Sequence, residues 1–336
     1  MEPERYAENI PIRKKHPEWF VPGWSRIRME NPDARNYVVS EIERLIETYK
    51  LAWLKFDHNA SLGYDETGAE LFNYYSAWHE ALDGLRRKYP QTVFENCSSG
   101  AMRHDLSSLF HFDVHFASDN VNPMDVLRIS QGGLLRMPPG RILHWAAPMP
   151  APRLPLTGYP TEARHVLTPC GATWNTAETA ELDFLTIAAM FGVLGFSGDL
   201  QSLENPDRKR LHWYIDFYKK WRRMILTSVC HLLTPVRPLN ERAGWTVIQL
   251  QSPETSAGII FHFYKPNDGQ ERRLVQLRNL EPETVYRVRR INPDGQTEQK
   301  IKGDQLMRTG LKLSEPYFMH SVFKAGITTV EPFILK

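Results

Sequence analysis

The sequence predicts an α/β fold: a (β/α)8 TIM barrel, N-terminally truncated, followed by a small antiparallel β-sandwich domain, with the barrel over residues 1–235 and the sandwich over residues 236–336. Three observations carry this. Between residues 35 and 200, amphipathic helical stretches alternate with short apolar runs, the pattern of βα units and a parallel sheet. From about Trp245 onward the chain reads instead as short strands punctuated by turns at Pro266-Asn-Asp-Gly269 and Asn292-Pro-Asp-Gly295. The opening residues, Met1-Glu-Pro-Glu-Arg-Tyr6, have the look of a strand exit, and the five later strand-like runs fall short of the eight a closed barrel needs. The chain is therefore expected to begin inside a barrel and to leave a sheet edge exposed.

The first helix is expected over Ala34 to Tyr49, where Val38, Val39, Ile42, Leu45 and Ile46 recur on one face. The second spans Glu70 to Tyr89 and gathers Leu71, Tyr74, Trp78, Leu82 and Leu85 in the same way. Each precedes a strand-like run. These runs are Ala52 to Phe56, Thr92 to Glu95, Val114 to Ala117, Ile142 to Ala146 and Gly192 to Phe196. If parallel, they direct their C-terminal ends to one face, where α/β barrels place their chemistry. The antiparallel domain is expected to use Gly244 to Val247, Ala257 to Tyr264, Arg272 to Leu277 and Val285 to Arg290.

Composition narrows the function classes. With 336 residues, 42% of them hydrophobic, the chain can bury a large core. Its 41 basic and 39 acidic residues, without a long run of either sign, leave no electrostatic footprint for nucleic acid or an anionic membrane. No apolar stretch reaches the roughly 18 to 20 residues that span a bilayer, and the N-terminus lacks a signal peptide's basic start and apolar core, so a cytoplasmic location is expected. Cys97, Cys170 and Cys230 are odd in number and lack CxxC spacing, which argues against a disulfide framework or a zinc site. No metal or organic cofactor is expected, and homo-oligomerisation stays open.

The chemistry is expected from two aspartates at strand ends: Asp57 in Leu51-Ala-Trp-Leu-Lys-Phe-Asp57-His-Asn59, and Asp119 in Val114-His-Phe-Ala-Ser118-Asp119-Asn120. Two carboxylates brought together by a parallel sheet suffice for double-displacement cleavage of a glycosidic bond, and retention then requires them roughly 5 to 6 Å apart. Lys55, Asp57 and Asn59 alternate, so on a strand all three point to the same side. Lys55 would hold Asp57 ionised and donate to hydroxyls, and Asn59 both donates and accepts. An ordinary solvated strand end explains the same residues about as well. In Glu95-Asn-Cys97-Ser-Ser-Gly100-Ala-Met-Arg103, small residues let a ligand approach the backbone, and Arg103 is a candidate to fix a carboxylate or hydroxyl. A packed thiol is favoured over a nucleophilic Cys97, and a structural role over a catalytic one for Glu95. Asp119 needs a raised pKa to act as an acid, with Phe116 a candidate apolar wall, while its bland reading is a turn cap. His144, Trp145, Asp199 and the aromatic-rich stretch Leu211 to Trp221 are further pocket candidates, although a core or surface helix explains the last of these better.

Together these motifs resemble the catalytic domain of glycoside hydrolase family 36, the alpha-galactosidase and raffinose-synthase group, over the whole chain. Met1-Glu2-Pro3-Glu4 looks like the remainder of the family's Trp-x-Glu-Pro-Glu, and His16-Pro-Glu-Trp19 is similar to its His-Pro-Asp-Trp. The nucleophile strand, usually Lys-Trp-Asp-x-Asn, appears as Lys55-Phe56-Asp57-His58-Asn59. The next, usually Glu-x-Cys-Ser-Gly-Gly-Gly-Arg, appears as Glu95-Asn-Cys97-Ser-Ser-Gly100-Ala-Met-Arg103. The acid/base motif, usually Trp-x-Ser-Asp followed by Asp or Asn, appears as Phe116-Ala-Ser118-Asp119-Asn120. Gly195-Phe-Ser-Gly-Asp199-Leu200 looks like the last barrel strand, and Leu306-Met-Arg-Thr-Gly310-Leu311 belongs with the family's C-terminal sandwich. The resemblance implies a retaining alpha-galactosidase with Asp57 as nucleophile, Asp119 as acid/base, and Lys55, Asn59, Cys97, Gly100 and Arg103 as sugar contacts. Phe56 and Phe116 stand for tryptophans, Ala101 and Met102 for glycines, and Asn122 for a second aspartate. The family's arginine-bearing loop before the first helix is shortened, leaving Arg26 and Arg28 as alternatives. Rival readings are a catalytically silent carbohydrate-binding remnant, a galactosyl-transferring enzyme and an alpha-N-acetylgalactosaminidase.

Overall fold

A computed structural model describes residues 10–59, 61–150, 165–170, 173–238, 240–241, 243–265, 272–314 and 324–333. The opening Met1-Glu2-Pro3-Glu4 segment and the expected turn at residues 266–269 lie outside the described residues. The chain divides into two compact units, Met1–Phe116 and Ala117–Lys336.

In the first unit, short helix α1 (Pro11–Lys15) precedes an alternation of α2 (Pro32–Tyr49), β1 (Trp53–Asp57), α3 (Ala69–Lys88), β2 (Val93–Cys97), α4 (Ser108–His111) and β3 (Val114–Phe116). The three strands are parallel, with β2 between β1 and β3. Helix α2 starts two residues before the periodic apolar pattern because Asn31 caps it. The Asn31 side chain accepts the amides of Asp33 (2.9 Å) and Ala34 (3.2 Å), and Pro32 supplies a first-turn residue that needs no amide partner. Helix α3 ends on Arg86, Arg87 and Lys88, cations that complement the carbonyl end of the helix dipole. Ile42, Ile46, Tyr74, Trp78, Leu82, Leu85 and Phe94 form one buried cluster. Phe56, on the face of β1 opposite Lys55 and Asp57, meets Trp78, Phe94 and Phe112 edge-on at centroid distances of 5.6, 5.3 and 5.8 Å. The ring face of β1 is thereby committed to the core, opposite the face that bears Lys55 and Asp57.

The second unit opens with α5 (Pro123–Leu134), β4 (Ile142–Ala146), β5 (Met149–Pro150), β6 (His165–Cys170), β7 (Thr173–Glu181), α6 (Leu182–Ala188), β8 (Val193–Phe196) and α7 (Asn205–Thr227). Strands β4 and β8 are parallel, whereas β5, β6 and β7 form an antiparallel ladder. That ladder was not anticipated as strands. Its β6 and β7 carry Pro169, Cys170 and several polar residues, which mask any apolar alternation.

The remaining strands are β9 (Val229–Leu232), β10 (Gly244–Gln251), β11 (Gly258–Lys265), β12 (Arg272–Val275), β13 (Val285–Asn292), β14 (Gly295–Lys302), β15 (Leu311–Ser314) and β16 (Lys324–Pro332), with helix α8 (Gly303–Arg308) between β14 and β15. Six of these strands make one antiparallel sheet in the order β14-β13-β16-β11-β10-β9, and β12 pairs with β15 separately. Trp245, Val247, Ile260, Tyr264, Tyr286, Val288 and Val330 of the larger sheet pack with Val275, Leu311 and Leu313 of the smaller, giving the expected antiparallel two-layer core. The turn at Asn292 to Gly295 closes the β13–β14 hairpin as expected. Strand β14 escapes a periodicity reading because residues 295–300 are all exposed at the sheet edge, where neither face selects apolar side chains. No helix among the described residues is long and apolar enough to cross a membrane.

Leu82 is fully buried in the first unit's core, so Leu82→Ala leaves a cavity and is expected to lower unfolding free energy by about 2–5 kcal/mol. Chemical denaturation measures this, and a loss below about 1 kcal/mol would contradict the packing described for α3.

Candidate active site

The site in the first unit follows from one register. Parallel pairing of β1 with β2 sets Lys55 beside Glu95 and Asp57 beside Cys97. Glu95 is buried, accepts the Trp53 indole N–H at 2.7 Å through Oε2, and presents Oε1 to Lys55 Nζ at 3.5 Å. Lys55 Nζ also lies 3.8 Å from the Phe116 ring centroid. Glu95 is thus a structural carboxylate that positions Lys55, the role favoured from the sequence. The Cys97 thiol is pushed up to about 11, first by burial and further by its hydrogen bond to Asp57. Beside Asp57, the thiol is kept protonated, in keeping with the packed-thiol reading.

Beyond the strand ends the pairing continues through loops. His58 N–H donates to Cys97 O at 2.9 Å, and Ser98 Oγ donates to His58 O at 2.7 Å. Asn59 Oδ1 accepts both the Ser99 amide (3.0 Å) and the Ser99 hydroxyl (3.2 Å). This turn requires positive φ at Ser99 (44°) and Gly100 (81°), and the glycine adopts it without steric cost. Asn59 therefore spends its acceptor on the loop.

A cavity of about 270 Å³, near the lower end of ligand-pocket sizes, is lined by Asp57, His58, Asn59, Arg26, Tyr74 and Arg103 among others. Of the sequence-predicted residues it joins Asp57, Asn59 and Arg103, whereas Lys55, Cys97 and Gly100 are not among its lining residues. Of the two arginines in the loop before the first helix, Arg26 lines the cavity. Its side chain is 2% exposed, its Nη2 donates to Glu70 at 2.6 Å, and its Nε and Nη1 have no hydrogen-bond partner among the described residues. A buried guanidinium with two unsatisfied nitrogens is costly unless something else enters the cavity to accept from it. Arg28 instead pairs with Glu30 at 3.6 Å. Nothing in the shortened loop distinguishes the two arginines before burial is known. Arg103 lies 6.0 Å from the Tyr75 ring centroid. Its backbone O accepts from Asn96 Nδ2 at 3.0 Å.

Asp119 belongs to the second unit, in the loop that leads into α5. Its backbone is fixed on either side: Asn120 N–H donates to Ser118 Oγ (3.0 Å), Asn122 N–H donates to Asn120 Oδ1 (3.0 Å), and Asn120 Nδ2 donates to Asp125 (2.8 Å). Asn122, where the family usually has an aspartate, caps α5 by accepting the amides of Met124 (3.1 Å) and Asp125 (3.3 Å). The turn-cap role is filled by these neighbours, and the exposed Asp119 carboxylate enters no hydrogen bond or ion pair among the described residues. Two further candidates, His144 and Asp199, are held by hydrogen bonds within the second unit. His144 is buried with Nδ1 3.1 Å from Ser130 Oγ, and Asp199 accepts the Ser202 amide in a surface turn. Among the described residues no three His, Cys, Asp or Glu side chains group to hold a metal ion.

Comparison with known proteins gives these residues a context. Residues 1–228 match the Melibiase family, and residues 245–325 match the glycosyl hydrolase family 36 C-terminal domain. The chain is 24% identical over 324 residues to probable alpha-galactosidase C of Aspergillus terreus, covering 93% of this chain and 39% of that protein. It is 21% identical over 337 residues to alpha-galactosidase AgaA of Geobacillus stearothermophilus, covering 94% of this chain and 41% of that one. It therefore spans about two fifths of the length of these relatives. The crystal structure of that AgaA superposes with a TM-score of 0.76 at 19% identity, over 97% of this chain and 43% of AgaA. An alpha-galactosidase structure from Lactobacillus brevis gives 0.76 at 18% identity, over 98% and 43%.

His58 yields a test that needs no substrate. Burial, then the Arg103 charge, push its imidazole down to about 4, against the opposing pull of Asp57. A histidine held neutral when folded stabilises the fold fully above its unfolded pKa of about 6.5, and that stability is lost as pH falls toward 4. Urea unfolding at pH 7, 5.5 and 4.5 is expected to lose less stability on acidification in His58→Gln than in the parent. Equal losses would contradict a buried neutral His58.

Proposed function

Because the chain belongs to glycoside hydrolase family 36 and has that family's barrel region followed by an antiparallel C-terminal domain, we propose that it is the catalytic region of a retaining alpha-galactosidase. The reading includes the division into a barrel over residues 1–235 and a sandwich over 236–336. It also includes a cytoplasmic setting and terminal alpha-galactosyl oligosaccharides as substrates, with neither metal nor organic cofactor. The observation that carries it is the conjunction, in one family-matched cavity, of the strand-end carboxylate Asp57 with Asn59, Arg103 and the half-satisfied Arg26. A structure of a variant of the Geobacillus AgaA holds raffinose, and another holds stachyose, which supports this substrate class.

In the proposed mechanism Asp57 attacks the anomeric carbon while Asp119 protonates the departing oxygen. Asp119 then takes a proton from the water that releases the sugar from Asp57. The Cys97 thiol donates to the Asp57 carboxylate and orients it without consuming its charge. Lys55, fixed by Glu95 and Phe116, has donors for sugar hydroxyls, as do Asn59, Arg26 and Arg103. Cys97 and the Gly100 backbone complete the proposed sugar contacts.

Comparing hydrolysis of an aryl alpha-galactoside with the matching glucoside and N-acetylgalactosaminide separates this function from the alpha-N-acetylgalactosaminidase reading. Asp57→Ala is expected to abolish turnover, and added azide to restore it with a glycosyl azide of inverted configuration as product. Full activity in Asp57→Ala removes Asp57 from the chemistry. Asp119→Ala is expected to slow substrates with poor leaving groups far more than activated aryl ones, since only the former need protonation. Equal losses on both would exclude Asp119 as the acid.

A further inference from the structure

The aromatic-rich stretch from Leu211 to Trp221 has no part in the proposed chemistry, and it builds a second cavity. Trp213, Phe217 and Trp221 follow one another at intervals of four on α7, so they form a single ladder along one helix face. The rings of Trp213 and Phe217 are stacked at 5.9 Å with 7° between planes, and Phe217 and Trp221 lie 6.1 Å apart. Phe217 is buried, while Trp213 and Trp221 stay half-buried, so the two indoles keep accessible surface. They are separated by about 12 Å along the axis, room for more than one pyranose ring.

These indoles form one wall of a cavity of about 520 Å³, well within the range of ligand pockets. The opposite wall is the end of β13 and the turn into β14, including Asn292, Asp294 and Gln296. That turn is fixed. Asp294 accepts from Arg210 at 2.8 Å, Arg210 is anchored by two bonds to Asp183, and Asn292 Oδ1 accepts the Asp294 amide at 2.9 Å. The charges lining the cavity cancel, with Asp216 and Asp294 against Lys220 and Arg289; Asp294 is paired with Arg210 and Arg289 with Glu331. A net-neutral rim gives no basis for holding a phosphate or a cation. A rim rich in donors and acceptors around flat aromatic faces suits a neutral molecule with an apolar face and peripheral hydroxyls.

We propose that this cavity is a second, non-catalytic site for a neutral oligosaccharide, in which pyranose faces stack on Trp213 and Trp221 while Gln296, Asp216 and Asn292 bind hydroxyls. The site is wholly within the second unit and does not depend on the assignment of Asp57.

The test uses the full chain with Asp57→Asn to prevent turnover, probed with raffinose, maltotriose and cellotriose by saturation-transfer NMR and calorimetry. At least one of the three is expected to bind, and Trp221→Ala is expected to weaken that binding by about tenfold, the loss of one good aromatic contact. Gln296→Ala, at an exposed position that does not threaten folding, is expected to weaken it as well. Absence of binding by all three sugars, or binding unchanged in both variants, overturns the proposal. Binding removed by Arg26→Met but kept in Trp221→Ala belongs to the first-unit cavity and also counts against it. Concentration-dependent dimers that Trp221→Ala dissociates would identify the surface as a contact between copies and overturn it too.

Discussion

The register between β1 and β2 is the constraint on which the first unit depends. Pairing Asp57 with Cys97 brings Lys55 to Glu95 two residues earlier and carries the pairing on into the loops at His58, Ser98 and Asn59. A slip of one residue would turn Phe56 toward the charged face and Lys55 and Asp57 into the ring cluster. Two penalties oppose that slip. Phe56 would lose its three aromatic neighbours, and Glu95 would be left buried without the cation that balances it, a loss that in buried pairs runs to several kcal/mol. The same contacts that lock the strand thus orient the carboxylate.

The cavity beside this register is made costly in a specific way. Arg26 is buried with Glu70 as the partner for its charge among the described residues, and His58 is kept neutral by burial and by Arg103. Each is a polar group held where folding alone gains little from it. A site that leaves donors unsatisfied in its empty form can recover that energy when hydroxyls enter, the general logic of a pre-organised pocket. The second unit treats charge in the opposite way around α7. Arg210 is held by Asp183 and Asp294 together, and Arg128 bonds Gln131, Thr246 and the Glu241 carbonyl. These networks fix the hairpin and the sheet against the helices of the same unit.

The fold and the candidate site were legible in the sequence to different degrees. The helices α2 and α3 were readable because a buried face imposes a 3.6-residue period on Ile42, Ile46, Trp78 and Leu82, and β1, β2, β3, β4 and β8 because each holds a short apolar run bounded by polar or small residues. The motifs around Asp57, Cys97 and Asp119 were readable because alternation on a strand and glycine in a tight turn are local requirements. Strands β6, β7 and β14 were not, since main-chain pairing within hairpins holds them where side-chain periodicity is silent.

By itself, the sequence determined the α/β alternation, the antiparallel C-terminal domain, and the presence of Lys55, Asp57 and Asn59 on one side of a strand, because each rests on neighbours along the chain. Tertiary structure alone decided that Arg26 rather than Arg28 enters the cavity, that Glu95 serves Lys55, and that the aromatic ladder of α7 faces the β13–β14 hairpin. Those outcomes turn on burial and on partners 40 or more residues away. Burial and long-range pairing are properties of the packed chain, and no local spacing encodes them.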